Sequence, residues 1–306
     1  MSSTLVLAQL LNGLQYGVLL FLLAAGLTLV FGIMSFVNLA HGSLYMMGAY
    51  AAAVAYAHTE SFGLSVLAAM LVALLLGLVL EVVAVSRLYQ RDHLNHVLAT
   101  FGLVLFFNEL VRVIWGPQPV FVQVPEALSG TVNLLGFTYP AYRFLIIAVG
   151  LAVAVGCWLL INKTRMGMLI RAGSFNPKMV AALGVNIQLL NALLFAVGAM
   201  LAGLAGAMAG PILSVQSGMG EPVLITTLVV IVIGGIGSIN GAFYAALIVG
   251  IVDTLGRVFL PMWLRQVAER SFADAAGPAL ASMLVYLLMA VVLAWRPQGL
   301  FPAKRG

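Results

Sequence analysis

Nine stretches of this chain are runs of almost unbroken apolar side chains, each close to the length needed to cross a bilayer. They fall at about 8–33, 42–58, 64–86, 96–115, 141–161, 189–211, 222–237, 241–260 and 279–295. At 1.5 Å of rise per residue, about 20 apolar residues cross a hydrocarbon core of roughly 30 Å. Composition closes off the soluble alternative. Charged residues are 8% of the chain and hydrophobic residues 63%, whereas a soluble domain carries about 25% charged. The expectation is an all-α polytopic membrane protein, one transmembrane domain over 1–306 with eight to ten helices. The runs at 42–58 and 222–241 are short or broken by glycine, and non-helical backbone survives at membrane depth only where protein or a water-filled cavity covers it.

The placement of charge predicts an orientation. The 14 basic residues are spread between the apolar runs instead of forming a dense patch, so the net charge of +5 does not point to nucleic acid. The first of them is Arg87; the initial apolar run lacks the positive region of a cleavable signal peptide and is expected to stay as a helix. Alternation along the runs puts Arg87, Arg91, Lys163, Arg165, Arg171, Lys178, Arg296, Lys304 and Arg305 on one side. Arg112, Arg143, Arg257, Arg265 and Arg270 fall on the other. The positive-inside rule then sets the N-terminus outside and the C-terminus in the cytoplasm. Two connections are long enough to be structured. The outer one, about 116–140, holds Pro117, Pro119 and Pro125 among Thr, Val and Phe residues and reads as an extended, partly β hairpin. The inner one, about 162–188, reads as a basic turn and a short amphipathic helix with Pro177 in the first turn of its second piece.

Enzymatic chemistry is not visible. Lys163, Lys178 and Lys304 lie in no Gly-Lys-Ser or Gly-Lys-Thr phosphate loop, so the chain is not expected to hydrolyse ATP. The single cysteine, Cys157, excludes a disulfide framework or a Cys-based zinc site. His93 and His96, beside Arg91 and Asp92, read as a solvated loop more readily than as a metal site. Glu109 with Arg112 and Asp253 with Arg257 are spaced for local helix pairs. Glu81 has no ideally spaced partner, which leaves a cross-helix or interfacial role open. A proton-coupled carrier needs unpaired carboxylates at mid-membrane, so the two pairs count against one.

The breaks between runs carry the candidates for a solute path. Asn38, His41 and Ser43 stand where the first run ends. Asn38 suits the N-cap of the next helix; His41 either donates to a carbonyl at the break or lines the route. Gly234, Gly235, Gly237 and Gly241 each cost about 1 kcal/mol in a helix interior relative to Ala, which predicts a second break flanked by Thr226, Thr227, Ser238 and Asn240. Discontinuous helices expose backbone groups to polar solutes. Gly42-Ser43-Leu44-Tyr45 echoes Gly241-Ala242-Phe243-Tyr244, each opening a helix after a break, and hints at two related halves. On the inner connection, Met179, Val180, Ala182 and Leu183 offer apolar contacts before Gly184, with Arg171 and Lys178 as polar anchors for a soluble partner.

At these residues the chain resembles the permease family of ABC importers for branched-chain amino acids, and specifically its shorter H-type subunit. The resemblance runs from Gly26-Leu27-Thr28-Leu29-Val30-Phe31-Gly32 and Asn38-Leu39-Ala40-His41-Gly42, through Lys163 to Ala172 and Ala181 to Asn186, to Leu201 to Gly210, Gly234 to Ala242, and Arg296-Pro297-Gln298-Gly299-Leu300-Phe301. Ser174-Phe175-Asn176-Pro177, where the family commonly has acidic residues, and Asn240 depart from its pattern. The resemblance implies the ABC importer permease fold in a bacterial inner membrane, in contact with lipid. It implies a second homologous permease subunit, two cytoplasmic ATPase subunits that use the ATP, and a periplasmic solute-binding protein, with no cofactor in this chain. It assigns 165–186 to the ATPase contact and amino acids to the cargo; related permeases for urea, amides or other amino acids, and a binding-protein-independent carrier, stay as alternatives.

Overall fold

A computed structural model describes residues 3–34, 36, 38–89, 91–134 and 137–301; Lys304 and Arg305, used above for orientation, lie outside them. The helices are α1 (Ser3–Met34), α2 (His41–Thr59), α3 (Phe62–Leu80), α4 (Ser86–Leu88), α5 (His93–Trp115), α6 (Ala141–Lys163), α7 (Arg165–Phe175), α8 (Pro177–Ala182), α9 (Ile187–Ala209), α10 (Gly220–Gly234), α11 (Ile239–Val267) and α12 (Arg270–Trp295). A π-helical turn, Glu81–Val85, joins α3 to α4 in one rod. Among the described residues seven helices are long and apolar enough to cross a membrane, α1, α3–α4, α5, α6, α9, α11 and α12. Strands β1 (Thr131–Leu134) and β2 (Phe137–Pro140) pair antiparallel, with Val132 opposite Tyr139.

Side-chain contacts define two ends. At the hairpin end, the Tyr139 hydroxyl donates to Asn12 Oδ1 at 3.1 Å, Tyr142 donates to the Met208 carbonyl at 2.9 Å, and the Phe62 ring meets Tyr142 edge-on. At the opposite end the Phe36 ring contacts Tyr89 and His96, and the backbone N–H groups of Leu300 and Phe301 donate to Ile233 and Gly234. Helix α1 therefore runs from the hairpin end to the other end, and α9 runs the reverse way. They form the centre: 83% and 78% of their apolar spans are buried, against 17–33% for the other five, so the hydrophobic core lies along α1, α9 and the buried α2. Leu64, Leu67, Leu71, Leu75 and Val79 of α3 are all more than half exposed at three- and four-residue spacing, an apolar stripe that suits lipid.

Close backbone approach needs glycine. Gly13 and Gly17 of α1 lie against Ile251 and Ala246 of α11, and Gly203 of α9 lies against Ala69 and Ala73 of α3, so a side chain at any of them would separate the pairs. These are the two most extensive long-helix packings, and both are antiparallel. The order long helix, short helix, long helix, long helix occurs twice, as α1–α2–α3/α4–α5 and as α9–α10–α11–α12, the second inverted relative to the first. Two halves exist, but the architecture matches α2 with α10. The sequence echo matches the opening of α2 with that of α11, because both carry a glycine in their first turn.

Two boundaries and one exposure differ from expectation. Runs ending near 260 and starting near 279 stop at Pro261 and Pro278, yet α11 and α12 continue through both. Proline interrupts the hydrogen-bond ladder without ending a helix that neighbours hold, and Gly277 gives Pro261 room to pack. The inner connection contains two helical pieces, with Asn176 capping Met179 at 3.0 Å. His96 is not in a solvated loop: it is 5% exposed, and its Nε2 lies 2.7 Å from the Leu88 carbonyl, while His93 is exposed.

Candidate functional site

The two short helices begin against each other, midway between the ends. The His41 ring faces the backbone of Leu23, in the interior of α1, and Gly42 sits directly on Gly220. From this junction α2 runs to the hairpin end and α10, about 22 Å long at 1.5 Å per residue, runs to the other. A helix start leaves four N–H groups without intrahelical partners and carries the positive end of the dipole. Neither start is capped by a side chain: the N-caps are Ala40 and Met219. Asn38 corrects the expectation of a cap, because α2 begins two residues too late for it. Its Oδ1 and Nδ2 are both buried without a hydrogen-bond partner among the described residues, as is Nε2 of His41, while Asn38 and His41 are each 1% exposed. An unpaired buried amide is costly, and here it stands beside two uncapped helix starts.

Glu221, in the first turn of α10, extends the polar tract. Asn108 of α5 donates to its Oε1, and the Ser217 hydroxyl donates to the Asn108 carbonyl at 3.1 Å. A small pocket between Ser43, Asn108, Gly220 and Glu221 holds about 10 Å³, room for one water. On its other side Glu221 borders a cavity of about 360 Å³ with Thr226, Asp253, Arg257, Ser282 and Tyr286. Asp253 and Arg257 pair as expected, Oδ2 to Nε at 2.8 Å, and so do Glu109 and Arg112 at 3.0 Å. Glu81 forms no ion pair among the described residues and receives a hydrogen bond from Tyr89; Glu221 forms none either. The two expected pairs form, but Glu81 and Glu221 add carboxylates without an ionic partner among the described residues, so pairing alone does not disfavour a proton-coupled carrier. No sequence pattern singled out Glu221, whose partner Asn108 lies 113 residues away.

The remaining candidates separate. Thr226 borders the cavity and donates to the Pro222 carbonyl at 3.0 Å. Thr227 is fully buried and donates to Val223 at 2.7 Å, which satisfies it within its own helix. Ser238 caps α11, accepting from Gly241 at 3.1 Å, and Asn240 beside it is exposed; both stand at the end remote from the hairpin, away from the junction. On the inner connection Arg171, Lys178, Ala182 and Gly184 are exposed, and Gly184 has φ +88°, a left-handed turn that suits glycine. Val180 corrects its assignment as an outward contact: it is 6% exposed, on the inward side of α8. The outward stripe is Phe175, Met179 and Leu183, each more than 60% exposed, and Phe175 had been missed. Its four-residue spacing to Met179 was the available signal.

The family described as the branched-chain amino acid transport system permease component matches residues 9–293. The chain belongs to this family. The permease is 29% identical to the high-affinity branched-chain amino acid transport system permease protein BraD of Pseudomonas aeruginosa, across 96% of this chain and 95% of that one. It is 28% identical to the corresponding protein LivH of Escherichia coli, across 95% and 96%. The fructose import permease protein FruF of Bifidobacterium longum is 27% identical, across 91% of this permease and 76% of FruF. Multi-pass membrane insertion follows from the seven long apolar helices together with this membership.

Proposed function

We propose that the permease is the membrane subunit of an ATP-driven importer for branched-chain or related amino acids, working by alternating access in the bacterial inner membrane. The near end-to-end likeness to BraD and LivH carries this reading. The N-terminus and the hairpin face outside, and α7, α8 and the C-terminus face the cytoplasm, in keeping with the basic residues Arg87, Arg91, Lys163, Arg165, Arg171, Lys178 and Arg296 at one end. A second homologous permease, two ATPase subunits and a periplasmic solute-binding protein complete the assembly, and the ATP belongs to the ATPase subunits. Asn38, His41 and Ser43 at the helix junction, with Glu221 and Thr226, border the path; Thr227 and Ser238 hydrogen-bond within their own helices, and Asn240 is exposed at the end remote from the hairpin. Arg171, Lys178, Met179, Ala182, Leu183 and Gly184 receive the ATPase.

The ligand of the solute-binding protein that purifies with the complex tests the cargo. Leucine, isoleucine or valine is expected. A sugar would overturn the amino-acid reading while leaving the permease assignment in place.

A further inference from the structure

The geometry points to a subsite for a zwitterion in the cavity between α10, α11 and α12, where Glu221 receives the α-ammonium and Arg257 the α-carboxylate of an amino acid in transit. The inference rests on the amino-acid reading above and deepens it. Four observations carry it. The cavity holds about 360 Å³, within the range of small-ligand sites. It brings charges of both signs to a polytopic bundle, where an ionisable side chain is costly unless it meets another charge, water or a ligand. Glu221 is exposed to it and forms no ion pair among the described residues, and the one side-chain hydrogen bond it receives, from Asn108, fixes the carboxylate without neutralising it. Arg257 spends only Nε on Asp253, so four of its five N–H donors stay uncommitted to any carboxylate among the described residues, in the planar fork that matches a carboxylate.

The rest of the lining agrees with this cargo. Pro222, Ile225 and Val285 are the apolar members, suited to a branched side chain, and Ser282 and Thr226 already donate to carbonyls of their own helices. Asp253 and Arg257 cancel, leaving Glu221 as the net charge, so an ammonium group is favoured and a neutral sugar would leave that carboxylate without a counter-charge. The site therefore separates amino acids from sugars within a family whose relatives include a fructose permease.

The test uses the complete complex in liposomes, with labelled L-leucine, for the wild type and for E221Q, R257Q and the double variant D253N/R257Q. E221Q and R257Q are each expected to lower the maximal uptake rate at least ~10-fold with KM held within ~2-fold, because capture is set by the soluble receptor and the loss falls on passage. E221D regains much of the rate. The double variant removes the ion pair without leaving Asp253 unpaired; it stays defective if Arg257 holds substrate and recovers if Arg257 only pairs. Wild-type rates in E221Q, or recovery in the double variant, overturn the subsite. For variants that fail to assemble, S282C in a C157A background is labelled with a thiosulfonate: L-leucine slows labelling and D-fructose does not, and equal labelling with both contradicts the proposal. A wild-type complex that takes up no leucine would instead overturn the amino-acid reading itself.

Discussion

At the scale of single residues, what sets this chain apart from a plain bundle is polar chemistry placed where no partner among the described residues answers it. Asn38 is the sharpest case, with both amide atoms buried and unpartnered among the described residues. A buried polar group without a hydrogen bond costs about 1–3 kcal/mol, so Asn38→Leu is expected to leave thermal stability unchanged or raised, while uptake per assembled complex falls. If the amide were a helix-end satisfier, the same change would lower stability and leave uptake intact. Fluorescence-detected size exclusion after heating reads the first quantity, and transport normalised to assembled complex reads the second. His41 shows how far a residue can be read in advance. Its position at a break is visible in the sequence, whereas its burial against the interior of α1, beside Leu23, is set by tertiary packing. Glu221 was not legible, because its significance comes from Asn108 and from a cavity shared with α11 and α12, contacts that no local spacing encodes.

At the scale of elements, hydropathy reveals where helices are and says little about which way their faces point. Nine apolar runs reappear as α1, α2, the α3–α4 rod, α5, α6, α9, α10, α11 and α12, since burying a backbone in lipid without a helix leaves its N–H and C=O groups unsatisfied. Boundaries at Pro261 and Pro278 were misplaced because packing against neighbours overrides the local penalty of proline. Face direction failed in the same way at Val180, which the periodicity of a six-residue helix is too short to orient. The exposed stripe of Phe175, Met179 and Leu183 is the surface the ATPase reading requires. An unpaired charge buried in such an interface must be desolvated, so Leu183→Glu and Ala182→Glu are expected to cut co-purification of the ATPase subunits at least ~10-fold without affecting membrane insertion. Val180→Glu is expected to impair folding instead. Normal ATPase recovery with Leu183→Glu would place the coupling surface elsewhere. The side of the membrane is tested on the same segment: Ser174→Cys in a Cys157→Ala background stays unlabelled by an impermeant reagent in right-side-out vesicles, and ready labelling would reverse the orientation.

At the scale of the whole molecule, two inverted sets of four helices share one junction, where two uncapped helix starts meet and polar side chains collect. Such an arrangement allows one half to rock against the other around a fixed point. The lysines lie outside any phosphate loop, and the outward apolar stripe of Phe175, Met179 and Leu183 sits at the end away from the hairpin, where the proposed ATPase subunits would drive that motion. Glu81 and Glu221 lack an ionic partner among the described residues, the feature an ion-coupled carrier would use, whereas the family is a transport-system permease component. The two energy sources are separable by a single measurement, uptake of labelled L-leucine into liposomes containing the permease, its homologous partner, the ATPase subunits and the solute-binding protein. With ATP on the ATPase side and no ion gradient, uptake above background is expected, and it is abolished when ATP is replaced by a non-hydrolysable analogue or the binding protein is withheld. Uptake driven by a proton or sodium gradient in the absence of nucleotide would contradict the account.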